Sequence, residues 1–107
     1  MIRIANKRHK IDLQPNEVAI YVGRPSSLGN PFRIGKDGTR EEVIAKYENY
    51  LYNCIKDKNN SVYRKLKELK QLYDAGKDLV LVCWCWPKRC HAEVIKKAIE
   101  DNWLNLT

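Results

Sequence analysis

Cys83, Cys85, Cys90 and His91 fall within one short run, CWCWPKRCH. Thiols and an imidazole at this spacing suit two chemistries. A zinc ion takes such ligands, so Cys83, Cys85 and Cys90 form one candidate metal set with His91 beside it, although the spacing differs from the usual CxxC knuckles. Alternatively Cys90 acts as a nucleophile, its thiol acidified where unpaired amides open a helix, with His91 as the neighbouring acid or base. The bland alternative is packing: a buried free cysteine behaves as a small apolar residue, which suits Cys83 on a strand and Cys54 on a helix stripe. Trp84 and Trp86 offer a stacking platform for a base, or else at least one of them packs beneath a helix.

A second chemical segment lies earlier, GRPSSLGNPF from Gly23 to Phe32. Gly23 and Gly29 allow close backbone approaches, and Pro25 and Pro31 stiffen the path. Ser26, Ser27 and Asn30 add side-chain donors, while Arg24 carries a guanidinium fork suited to a phosphate or carboxylate. Arg40, in the first turn of the next helix, is placed to join them. The pattern is neither the dinucleotide GxGxxG nor the Walker loop, so it implies anion chemistry without naming a nucleotide fold. A rigid loop wrapping a sheet edge would use the same Gly and Pro.

Elements must bring these two segments together. Ile2 and Ile4 alternate with Arg3 as in an exposed edge strand, and Glu17 to Val22 is a β-branched apolar run that reads as a strand buried on both faces. Gly23 to Gly38 holds four of the five glycines and two of the four prolines, and is a long loop. Thr39 with Glu42 has capping-box spacing, and Val43, Ile44, Tyr47, Leu51, Cys54 and Ile55 share one face of the helix that follows. After a polar break at Lys56 to Asn60, Ser61 is expected to cap a second helix with Val62, Leu66, Leu69, Leu72 and Tyr73 inward, ending at Gly76. Asp78 to Trp86 is the most apolar stretch and predicts the central strand. A third helix from Cys90 or His91 carries Val94, Ile95, Ala98 and Ile99, with Trp103 and Leu104 packing its end. Strands joined through helices call for parallel pairing, so the expectation is one α/β domain over residues 1–107. It is a small layered, Rossmann-like fold with a short, mainly parallel sheet of about three strands and three helices. In such sheets, ligands bind beyond the carboxyl ends of the strands. Both chemical segments leave those ends, and the loops 23–33 and 85–91 should line one crevice.

Composition narrows the partner. Of 107 residues, 44% are apolar and 31% charged, which suits a folded chain, and 20 basic against 13 acidic residues leave a formal charge of +7. Anionic ligands are favoured, nucleotides and nucleic acids among them. No apolar run is long enough to span a bilayer and the first residues lack an apolar leader, so a membrane role is not expected and a cytoplasmic location is. A chain this short has a modest core, for which zinc or a homodimer would be a useful supplement. The basic residues from Lys56 to Lys70 follow helical periodicity and read as a solvated face, and His9 reads as surface.

The sequence resembles a family of bacterial and phage proteins, the domain of unknown function 4326. The resemblance is carried by YVGRPSSLGNPF at Tyr21 to Phe32, IGKDGTREEV at Ile34 to Val43 and LVCWCWPKRCH at Leu81 to His91, and it covers most of residues 17–100. It implies that Gly23, Arg24, Gly29, Asn30, Pro31 and Arg40 occupy signature positions, as do Cys83, Cys85, Pro87, Cys90 and His91. Ala92 stands where the family pattern has glycine.

The leading expectation is therefore a protein that binds a nucleotide or nucleotide-derived phosphorylated small molecule between the two loops. It would either act on that ligand through Cys90 and His91 or sequester it. The alternatives are a nucleic-acid-binding protein and a zinc-stabilised structural module.

Overall fold

Thr39 begins the longest helix by a reciprocal cap: its Oγ1 accepts from the Glu42 amide at 3.3 Å, and its own amide donates to Glu42 Oε1 at 2.9 Å. In the computed structural model, which describes residues 1–105, this helix is α1 (Arg40–Asp57), and Val43, Ile44, Tyr47, Leu51 and Ile55 are its buried stripe. Cys54 lies at the margin of the same cluster, half-buried. The second helix, α2 (Ser61–Asp74), buries Val62, Leu66 and Leu69. Its cap is Asn60, one residue before the expected Ser61. Asn60 Oδ1 accepts from the Tyr63 amide at 2.7 Å while Nδ2 donates to the Cys54 carbonyl at 2.9 Å, so a single amide side chain ends α1 and starts α2, which a serine hydroxyl is too short to do.

Three strands, β1 (Ile2–Asn6), β2 (Glu17–Tyr21) and β3 (Asp78–Cys83), form a parallel sheet in the order β1-β3-β2. Ile2 pairs with Leu79, Ile4 with Leu81 and Asn6 with Cys83 on one side of β3; Val18 faces Leu79 and Ile20 faces Leu81 on the other. The period of two then sorts the side chains. Ile2, Ile20, Leu79, Leu81 and Cys83 point into the main core with residues of α1, α2 and α3 (Ala92–Glu100), so all three helices cover one face. On the opposite face Ala5, Val80 and Val82 form a smaller cluster with Ile11 and Tyr21. The α/β architecture with three parallel strands and three helices agrees with the reading of the sequence, as does the central place of β3.

Two strand expectations need correction. β2 is an edge strand with Ala19 exposed, not one buried on both faces, because only the helices' side is sealed there. β3 ends at Cys83, and the chain bends at Trp84 and Cys85. The apolar character of Cys and Trp prolonged the hydrophobic run past the last residue that has strand partners on either side. The expectation that this strand runs on to Trp86 therefore falls. So does the expectation that one tryptophan packs beneath a helix: Trp84 is 49% and Trp86 46% exposed. Trp103, in a short 3-10 turn (Trp103–Asn105), is buried against the end of α3. Among the described residues no helix is long and apolar enough to cross a membrane.

Candidate functional site

Both chemical segments leave the carboxyl edge of the sheet, and a crevice of about 540 Å³ opens between them. Gly23, Arg24 and Asn30 line it from the first loop, Arg40 from the start of α1, and Cys83, Cys85, Cys90 and His91 from the second loop and the approach to α3. Ser26, Ser27 and Gly29 do not line it. Ser27 is exposed, while Ser26 Oγ is buried with no hydrogen-bond partner among the described residues.

The first loop is folded on itself more than a phosphate cradle would be. The Ser26 amide donates to the Gly23 carbonyl and the Gly29 amide to the Ser26 carbonyl, each at 2.9 Å. Gly29 is required by close approach, since a Cβ there would lie 3.0 Å from the backbone of Arg24. Asn30 has both ends occupied: Oδ1 accepts from the Phe32 amide at 2.9 Å and Nδ2 donates to the Val43 carbonyl at 3.3 Å. These groups shape the loop. The anion-binding capacity of the wall lies in its arginines instead.

Among the described residues four arginines line the crevice, Arg24, Arg33, Arg40 and Arg89, and no carboxylate does. Arg89 is ion-paired with Glu41 and Glu93, whereas among the described residues no ion pair joins the guanidinium of Arg24, Arg33 or Arg40 to a carboxylate; the Arg33 backbone amide, not its fork, donates to Asp37 Oδ2 at 2.8 Å. Arg24 Nη1 donates to the Asn30 carbonyl at 3.1 Å and Arg40 Nη1 to the Arg89 carbonyl at 2.9 Å, which leaves most of each fork's donors available. Arg33 was not singled out by its sequence position; its place in the loop was the only clue, and arginine in a loop is ordinarily just solvated. Phe32 and Ile34 contribute apolar wall, and Trp84 stands at the crevice with an exposed ring. That ring is fixed, because Nε1 donates to the Tyr21 hydroxyl at 2.9 Å and the hydroxyl in turn donates to the Arg24 carbonyl at 2.6 Å.

The two loops are clipped together by other polar contacts. Asn6, at the end of β1, donates from Nδ2 to the carbonyls of Trp84 (3.2 Å) and Trp86 (2.7 Å) and accepts from the Arg8 amide at 2.9 Å. It is a buried polar residue that no motif or spacing in the sequence singles out. His91 donates from Nε2 to the Val22 carbonyl at 2.6 Å, which fixes that nitrogen as the protonated one. Its ring lies edge-on to Tyr47, centroids 5.0 Å apart.

Burial pushes the His91 pKa down, the Val22 contact opposes this and the nearby Arg24 charge adds to it, so the imidazole is neutral at pH 7. A histidine with a depressed folded pKa stabilises the fold fully above its ordinary value of 6.5 and loses that contribution as the pH falls below it. Glu17, Glu42 and Asp78, whose pKa values are also lowered, add to the loss only from about pH 5 downward, where the same carboxylates in the unfolded chain begin to take up protons. Stability is therefore expected to fall between pH 6.5 and about 5, by at most about 1.4 kcal/mol per pH unit for one proton. Chemical denaturation across that range, compared with His91→Gln, measures it; an equal slope in the variant would assign the loss to other groups.

The thiols differ from the expected arrangement. Cys83 is 1% and Cys90 5% exposed, and their sulfurs are 3.4 Å apart with Cys90 S–H donating to Cys83. That hydrogen bond, opposed by burial and aided by the amides of Trp86 and Cys85, pulls the Cys83 pKa below the ordinary thiol range. Cys90 is raised, first because its proton is held by Cys83 and then by burial, although the Ala92 amide at the helix start pulls the other way. The more acidic thiol is thus Cys83 and not Cys90. His91, committed to Val22, is not shown bonded to either sulfur. Among the described residues, no three or more Cys, His, Asp or Glu side chains are grouped to hold a metal ion, and all four cysteines are free thiols.

Fold and site together define a small parallel α/β protein with a basic crevice, floored by thiols, at the carboxyl edge of its sheet. The chain matches the family described as a domain of unknown function (DUF4326) over residues 4–101 and belongs to it. Comparison with curated proteins and with solved structures finds no match in either.

Proposed function

We propose that the crevice binds a nucleotide or nucleotide-derived phosphorylated small molecule. The observation that carries this reading is the wall itself: the guanidinium groups of Arg24, Arg33 and Arg40, none ion-paired among the described residues, line a concave space of about 540 Å³ that has an exposed, immobilised Trp84 beside it. Guanidinium forks match phosphate oxygens in pairs, and a fixed indole face suits a base. The volume lies within the range of ordinary small-ligand sites, roughly 300–1,000 Å³. The overall charge of +7 adds attraction at long range. Sequestration needs only this affinity; turnover would in addition need a reactive group, for which Cys83 at the floor is better placed electronically than Cys90.

Isothermal titration calorimetry of the full chain tests the reading, with nucleoside mono-, di- and triphosphates compared against the parent nucleosides and inorganic phosphate. Saturable binding that needs both base and phosphate is the expected result. Absence of saturation with every nucleotide would overturn it. A second reading, single-stranded nucleic acid, is favoured by the exposure of both Trp84 and Trp86. It requires affinity for an oligonucleotide that exceeds that for any mononucleotide and falls steeply with salt.

A further inference from the structure

The crevice floor carries a pair of groups that ligand binding does not use. Cys83 is the last residue of β3 and Cys90 lies just before α3, so two separate elements deliver sulfurs to within 3.4 Å of each other. A disulfide bond is about 2.0 Å long and adjusts through side-chain rotation when the Cβ atoms are already close. Both sulfur-bearing residues line the crevice, and the remaining cysteines do not share this contact: Cys54 is on α1 at the core margin, and Cys85 lies in the bend after β3. Cys83 also receives the Cys90 S–H, the feature that favours thiolate at the attacking sulfur and keeps a second thiol in place to resolve it.

We propose that Cys83 and Cys90 are a redox-active dithiol that a hydroperoxide converts to a disulfide in the wall of the crevice. Hydrogen peroxide is small enough to reach a nearly buried sulfur where a peptide disulfide is not. The Cys83 thiolate attacks one peroxide oxygen, the O–O bond breaks, and the departing hydroxide takes up a proton to leave as water, with Cys83 now a sulfenic acid. The Cys90 sulfur then attacks Cys83, forming the S–S bond and expelling hydroxide, which leaves as a second water with the Cys90 proton. Two thiols have given up two electrons and one peroxide has accepted them. The product ties the end of β3 to the start of α3 and alters the crevice floor. It depends on sulfur geometry alone and stands whether or not a nucleotide is the ligand.

The folded full-length protein, treated with hydrogen peroxide and then alkylated and mapped by peptide mass spectrometry, decides this. The expected result is a Cys83–Cys90 link with loss of both thiols to alkylation, reversal by dithiothreitol, and Cys54 and Cys85 still alkylated. In Cys90→Ser, shown folded by circular dichroism, Cys83 should instead be trapped as a sulfenic acid by dimedone. Oxidation at Cys54 or Cys85 with Cys83 and Cys90 both left alkylatable would overturn the proposal. So would Cys83 advancing to a sulfinic acid beside a free Cys90, or a bound zinc ion that shields both thiols.

Discussion

Replacing Arg24 with alanine is expected to weaken nucleotide binding by roughly 10- to 100-fold while leaving the fold intact. A hydrogen bond to a charged group contributes about 1.5–3 kcal/mol, and each factor of ten in affinity corresponds to about 1.4 kcal/mol. The side chain is exposed, and its hydrogen bond from Nη1 to the Asn30 carbonyl is of a kind that water can replace at little cost. Calorimetry with a nucleoside triphosphate measures the loss. A second readout needs no ligand: because the Arg24 charge helps to hold down the His91 pKa, its removal should let that pKa rise, which an NMR titration of the imidazole follows. An affinity within twofold of the parent protein would remove Arg24 from the binding wall. An unmoved imidazole would mean that solvent screens the Arg24 charge from His91.

That meeting of the loops was legible in the sequence because it follows from topology: parallel strands send their carboxyl-terminal loops to one edge whatever those loops contain. The helices were legible for a similar reason. Thr39 with Glu42, and the spacing of Val43, Tyr47 and Leu51, are local signals whose meaning does not depend on the rest of the chain. Where the strand after Asp78 stops was not legible, since Trp84, Cys85 and Trp86 are as apolar as the residues that do pair with β1 and β2. The backbone turns there because Asn6 captures the Trp84 and Trp86 carbonyls, a partnership between residues nearly eighty positions apart that no local pattern reveals.

The same distance in sequence hid the state of the thiols. A helix start suggested that Cys90 should be the acidic one, and the Ala92 amide does pull in that direction. Cys83 wins because it receives the Cys90 proton and two backbone amides at once, which required knowing that the two sulfurs touch. The serines of the first loop failed as ligand donors for a related reason. The sequence shows which groups can donate, but not that the loop's own carbonyls accept from the Ser26 and Gly29 amides and that the serine side chains lie away from the crevice.

Asn6→Ala should accordingly be the most damaging single change outside the apolar core. The side chain makes three hydrogen bonds from a buried position, two to carbonyls of the second loop and one from the Arg8 amide, and alanine leaves all three partners to find water or remain unpaired. At about 1 kcal/mol for each bond, with more where a partner stays buried, the loss is on the order of 3 kcal/mol. For a chain of this size each kcal/mol lowers Tm by about 4–8 °C, so a fall of more than about 10 °C is expected by calorimetry or circular dichroism. Asn6→Asp separates the donor role from the acceptor role. The carboxylate can still accept from Arg8 but repels the Trp84 and Trp86 carbonyls, so it should rescue little. In both variants the indole at Trp84 loses the anchor of its own backbone, and a blunted response of Trp fluorescence to a bound nucleotide should accompany the lost stability. A variant that melts within about 2 °C of the parent would mean that the Trp84 and Trp86 carbonyls are hydrated rather than held by Asn6, and the bend that shapes the crevice would then need another cause.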